Sequence, residues 1–179
     1  MTRCRPTHAT CVLALLVTGL TARAPVSAAQ MDEGVVKAAA LLKAALFVDW
    51  PAGSVADRFV IGVAADEEFS QKVMEAVRGR RMNDRDIVVR PIGDTDEECS
   101  CQVLFVAAGE DDRSAALLRA SRTRPVLTVG ETTAFLREGG IVRVFRSDDR
   151  LRLQINNKGA EDAGLKISSR LLRLAERTP

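Results

Sequence analysis

Cys99 and Cys101, separated only by Ser100, are the side chains of this 179-residue sequence best suited to chemistry. Thiols in an oxidising compartment tend to pair. Three outcomes stand open for them: a bond to each other, two independent thiols with Cys101 buried at a strand start, or bonds between chains. A bond across one residue must distort, because Cα atoms much nearer or farther than about 5.5 Å strain the bridge. A strained bridge is easily reduced, which would make the pair a redox sensor. Two thiolates alone are too few for structural zinc, so no metal site is expected.

Histidine sets the next limit. Its single occurrence, His8, falls in a segment that reads as an export leader. Arg3 and Arg5 precede the apolar run Cys11–Leu20, which is too short for a bilayer span of about 20 residues. Pro25 breaks any helical continuation, and Ser27-Ala28-Ala29 before Gln30 has the small-x-small pattern of a cleavage site. Cys11 lacks the apolar residue expected three places before a lipid-modified cysteine. Residues 1–29 are therefore expected to be a cleaved signal peptide, and 30–179 a single exported domain.

That domain contains neither His nor Tyr. Histidine is the commonest general base and metal ligand near neutral pH. Without it, Ser–His and Cys–His nucleophile pairs are impossible. No GxGxxG or GxxxxGK[ST] occurs, and Gly62 and Gly109 make no phosphate loop. Glu67-Glu68, Glu97-Glu98 and Asp111-Asp112 are sequence neighbours on helix ends or loops, where carboxylates rarely converge on one substrate atom. The expectation is a protein that is not an enzyme and needs no cofactor.

Charge excludes another class. The sequence has 26 Lys+Arg and 24 Asp+Glu, but the leader holds Arg3, Arg5 and Arg23 and no acid. The remaining 23 basic and 24 acidic residues leave no excess with which to release counterions from DNA or RNA. No second apolar run reaches spanning length, so no membrane span is expected after processing.

Surfaces that could bind are then sought among the elements. Residues 32–48 read as a helix that is apolar nearly all round, since only Lys37 and Lys43 interrupt it between Gly34 and Val48. Such a helix is sandwiched in a core or offered to a partner. Phe47 and Trp50 at its end are candidate partner-binding anchors, because aromatic residues concentrate at interface centres; the competing reading is a core helix with its indole. Strands at 58–64, 86–92, 102–107 and 125–130 follow, with helices at 67–78 after the first, 114–121 after the third and 132–137 after the fourth. Alternation of this kind implies a parallel sheet with helices on both faces. Residues 141–146 and 151–155 flank Ser147-Asp148-Asp149 as a hairpin. Leu151, Leu153 and Ile155 alternate with Arg152 and Gln154, which puts that strand towards a sheet edge.

The last stretch, 163–176, reads as an amphipathic helix with Ile167, Leu171, Leu174 and Ala175 on one side. Lys166, Arg170, Arg173 and Arg177 make a basic stripe that is solvent-facing or docks an acidic surface; Arg170 and Arg173 are the candidate contacts. Gly130-Glu131-Thr132 and Asn156-Asn157-Lys158 sit at strand ends before helices. They are ordinary caps, or they line a ligand crevice of the kind open α/β sheets carry. The fold class is thus single-domain α/β: a mostly parallel sheet, then a C-terminal hairpin and amphipathic helix.

These blocks, in order, resemble the YfiR-type periplasmic regulators. The likeness runs through Lys37-Ala-Ala-Ala40, Phe47-Val-Asp-Trp-Pro51, Phe59-Val-Ile-Gly-Val63, Cys101-Gln-Val-Leu-Phe-Val106 and Val126-Leu-Thr-Val-Gly-Glu131. It continues through Phe135, Gly139-Gly-Ile141, Leu153-Gln-Ile-Asn156 and Ala163–Ala175, covering roughly residues 35–176. The resemblance implies a periplasmic protein, often a homodimer. It would bind the periplasmic sensor domain of an inner-membrane diguanylate cyclase, holding cyclic-di-GMP low, or that of a sensor kinase. The alternative is a periplasmic small-molecule-binding protein with no protein partner. One departure stands out. Family members can carry disulfides built on the cysteine matching Cys101, but the more distant partner cysteine is absent here.

Overall fold

The computed structural model describes residues 32–93, 96, 99–148 and 150–176. The expected signal peptide, with His8, lies outside these residues, as do Glu97, Glu98 and Arg177.

Asp32 opens the first helix by accepting from Gly34 N at 2.8 Å. This helix, α1 (Glu33–Ala45), buries Ala38, Leu41, Leu42, Ala44 and Ala45. It ends three residues before the expected boundary, because Val48–Asp49 is taken into a short strand, β1. The alternating elements follow. They are β2 (Arg58–Ala64), α2 (Glu67–Val77), β3 (Arg81–Met82), β4 (Arg85–Pro91), β5 (Val103–Val106), α3 (Asp111–Ser121), β6 (Leu127–Gly130) and α4 (Thr133–Arg137). The C-terminal part contributes β7 (Val142–Ser147), β8 (Arg150–Ile155), α5 (Asn157–Asp162), β9 (Lys166–Ile167) and α6 (Ser169–Leu174).

Seven strands form the main sheet in the order β3-β4-β2-β5-β6-β7-β8. The five inner strands are parallel; β3 and β8 lie antiparallel at the two edges, each through a hairpin. Asn83 and Asp84, at φ 49° and 61°, make the β3–β4 turn, and two left-handed residues are what a type I′ hairpin requires.

Period-two patterning divides the core. Phe59, Ile61, Val63, Val103, Phe105, Leu127 and Val129 point to one face, with α1, α2 and α6. There Phe69 of α2 stacks on Phe105 with ring centroids 4.6 Å apart. Ala64, Leu104 and Val106 point to the other, packing with Leu117 and Leu118 of α3 and Phe135 of α4. Both faces of the inner strands are therefore covered, as parallel strands require.

The chain end departs from expectation. In place of one helix over 163–176, Gly164 takes φ +73° after α5, β9 pairs antiparallel with β1, and Ser168 then caps the short α6. Val48 faces Ile167 in that two-stranded sheet. The hydrophobic period was real, since Ile167 and Leu171 are both buried, but a long-range pairing interrupts the helix that the period suggested.

Candidate functional site

The residues singled out above fall into three places. The first is a groove at the β8 edge. Ala40, Ala44 and Phe47 from the α1 end form one wall, Leu151 and Leu153 of β8 the floor, and Leu171 and Leu174 of α6 the other wall. It encloses about 270 Å³. Alternation along β8 supplies the leucine floor, and the i, i+3 spacing of α6 supplies the second wall. Leu171 is 2% exposed and seals the bottom, whereas Leu174 at the mouth is 63% exposed. Leu46, at the end of α1, is likewise 63% exposed. Lys43 and Arg152 line the same groove. Arg170 and Arg173 are exposed on α6, and among the described residues neither forms an ion pair. Lys166 belongs to β9 rather than to this helix.

Phe47 is half-buried and lines the groove; Trp50 does not. Its indole stands edge-on to the fully buried Phe59, with centroids 5.2 Å apart, and its buried Nε1 has no hydrogen-bond partner. The two aromatic residues thus occupy different environments, which their sequence spacing did not indicate.

The second place is the C-terminal end of the parallel strands. Glu131 follows β6, and one of its carboxylate oxygens lies 2.6 Å from Lys37 Nζ on α1. The other accepts from Ala108 N at 2.7 Å, and Arg143 Nε donates to the Glu131 carbonyl at 3.0 Å. Thr132 caps α4 by accepting from Phe135 N at 3.1 Å. Burial works against the Lys37 ammonium, but hydrogen bonds and charge from Glu131 and Glu33 outweigh it and raise its pKa.

Asn156, Asn157 and Lys158 do not share a crevice with Glu131 and Thr132. The hairpin reverses β8, so its end lies beside the start of β7, and the register sets Asn156 level with Thr128, three residues before Glu131. There Asn156 caps α5, accepting from Gly159 N at 2.9 Å, and donates to Gly140 O at 3.3 Å. Asn157 donates to Glu161 at 2.7 Å, and Lys158 pairs with Asp162. Asn156 and Lys158 border a separate hollow of about 240 Å³ with Ser121, Arg122, Thr128 and Asp162.

The third place is the cysteine pair. Cys99 and Cys101 are bonded to each other, with Cα atoms 5.3 Å apart, and are 1% and 4% exposed. The bridge lies against β2 at Gly62. A Cβ there would meet Cys99 Sγ at 2.5 Å and Cys101 Sγ at 3.1 Å, so only glycine leaves room for it. Gly62 was visible in the sequence, but only the register of β2 beside β5 shows what it accommodates.

Among the described residues, no cluster of three or more His, Cys, Asp or Glu could hold a metal ion. None of the described helices is long and apolar enough to cross a membrane.

Comparison with known proteins agrees with this architecture. A solved structure from Vibrio cholerae O1 biovar El Tor, a conserved domain protein, superposes with a TM-score of 0.56 at 13% identity. The match covers 81% of this chain and 60% of that one, and at this identity it speaks for the fold alone. No curated protein matches. The description of the YfiR/HmsC-like family matches residues 35–176, which takes in all three places described above. That family is one of non-catalytic periplasmic regulators that act on a membrane partner, generally a diguanylate cyclase. With most of its length matched, this chain belongs to the YfiR/HmsC-like family.

Proposed function

We propose that this protein restrains an inner-membrane signalling protein, a diguanylate cyclase or a sensor kinase, by binding its periplasmic sensor domain. The observation that carries the reading is the groove between α1, β8 and α6, where Leu174 is left 63% exposed beside Phe47. A large apolar side chain at the mouth of an apolar groove gains little where it stands and much on being covered. The cations Lys43, Arg170 and Arg173 around it would steer an acidic partner and set its orientation. The mechanism is differential affinity. The protein binds the inactive conformation of the sensor domain better than the active one, and a hundredfold preference needs only about 2.7 kcal/mol. The input is the redox state of Cys99 and Cys101 or a small ligand.

The test is capture of the partner from solubilised membranes by the exported protein, compared with its Phe47→Glu variant. Recovery of a cyclase or kinase by the wild type, and its loss in a variant of unchanged melting temperature, is the expected result. A second reading, a small-molecule carrier with no protein partner, is favoured by the polar hollow bordered by Asn156 and Lys158. It predicts no membrane protein in the eluate and a bound metabolite in native mass spectrometry.

A further inference from the structure

Arg78, Arg80, Arg81, Arg85 and Arg90 place five guanidinium groups in a stretch whose only acids are Asp84 and Asp86. The fold sets Arg78, Arg80 and Arg81 around β3, the outermost strand on the side of the sheet away from β8, with Arg85 opposite Met82 and Arg90 at the far end of β4. Arg81 Nε pairs with Asp86 at 3.5 Å, and Arg90 reaches Asp96 at 3.9 Å. Arg78, Arg80 and Arg85 form no ion pair among the described residues. Arg78, Arg80 and the Arg81–Asp86 pair rim an open hollow of about 480 Å³, floored by Met74, Val77, Ile87 and Val89.

An apolar floor rimmed by unpaired arginines matches a particular kind of surface. Arginine lays its hydrocarbon stem along apolar groups and holds its charged end outward. Its planar fork binds phosphate oxygens in pairs, which a lipid headgroup layer offers in quantity. Position adds a second argument. Six strand spacings separate β3 from β8, about 29 Å at 4.8 Å each. A bilayer at the β3 edge would leave the groove between α1, β8 and α6 about one small-domain diameter above it. A sensor domain anchored in the same membrane would have to reach that height to fill the groove. This second argument rests on the regulatory reading given above; the charge and the floor do not.

We propose that the β3 edge is a docking surface for anionic phospholipid headgroups, with Arg78 and Arg80 contacting lipid phosphate. The test uses protein purified from cells expressing the full chain, sedimented with phosphatidylcholine vesicles with and without phosphatidylglycerol. Sedimentation should depend on phosphatidylglycerol and weaken as salt is raised. Arg78→Gln with Arg80→Gln should weaken it about 25-fold, at about fivefold per cation. Phe47→Glu should leave vesicle binding unchanged, and the arginine variant should still capture the detergent-solubilised partner, so the two proposals fail separately. Equal binding to neutral vesicles, or binding that survives the double substitution, overturns the lipid surface. Displacement by inorganic phosphate at constant ionic strength also overturns it, reassigning the arginines to a free anion.

Discussion

Lys37 of α1 and Glu131 after β6 meet at 2.6 Å and join the first helix to the C-terminal end of the sheet. Glu131 is 13% exposed, and its second oxygen is held by Ala108 N, so its carboxylate ties three segments together. Glu131→Gln keeps the shape and removes the charge. The expected cost is about 1–3 kcal/mol, the range for charge-assisted hydrogen bonds at a largely buried group. Urea unfolding of the two proteins measures it. A difference below about 0.5 kcal/mol, the usual scatter of surface changes, would mean that the contact does not anchor α1.

The same helix start has a pH signature. Lys37 has its pKa raised, so its contribution to stability is complete below its ordinary 10.5 and fades as pH rises through the folded value. Asp32 and Glu33 have theirs lowered, chiefly by hydrogen bonds from Lys72 and Lys37 respectively. Their contributions are present above the ordinary 3.8 and 4.5 and fade as pH falls through the lowered values. Both carboxylates are about half exposed, so the acid limb should be shallow. The melting-temperature gap between wild type and Lys37→Met should therefore be level across neutral pH. It should close as pH passes well above 10.5; a gap that persists there contradicts the assignment.

Gly62 and the Cys99–Cys101 bridge should behave as one unit. In Gly62→Ala the new methyl would lie 2.5 Å from Cys99 Sγ, an overpacking expected to cost about 1–3 kcal/mol. Replacing both cysteines by alanine removes the obstructing sulfurs, so the glycine substitution should cost less in that background. Denaturant unfolding of the four proteins gives the coupling directly, and additive effects would separate glycine from bridge. In the folded wild type, thiol counting after export should find fewer than two free thiols. Burial of both cysteines should make reduction of the bridge slower in the folded protein than in denaturant.

These assignments show which parts of the molecule could be read in advance. The parallel core was legible because Phe59, Ile61, Val63 and their neighbours sit on strands buried on both faces, which gives short apolar runs. The break near Gly164 was not. Ile167 fits the helical stripe of Leu171 and Leu174, and only its pairing with Val48, far away in sequence, puts it in a strand. The cysteines were identified as a pair, but their neighbour Gly62 became meaningful only through the register with β5. The expected crevice divided for a reason already present in the hairpin: an antiparallel β8 runs back along β7 and sets Asn156 level with Thr128 rather than with Glu131. Phe47 and Trp50, three residues apart, went to a groove and to Phe59 because the short strand β1 lies between them and carries the chain away from the end of α1.

Leu171 and Leu174 allow packing and binding to be measured on one helix. They lie three residues apart on α6 and both line the groove, yet one is 2% and the other 63% exposed. Leu171→Ala removes buried methyl groups and leaves a cavity, at an expected cost of about 2–5 kcal/mol. Leu174→Ala removes contacts made mostly with water and should stay within about 0.5 kcal/mol. Partner capture should rank them the other way once stability is allowed for. Leu174→Glu, which sets a charge at the mouth, should abolish capture while the melting temperature holds, because a carboxylate buried without a partner is strongly disfavoured. Reversal of Arg170 and Arg173 to glutamate should leave the complex able to form but slow its association at low salt, an effect that raising the salt should erase. Capture that survives Leu174→Glu would place the binding surface away from this groove, and an association rate unchanged by the charge reversal would remove the arginines from it.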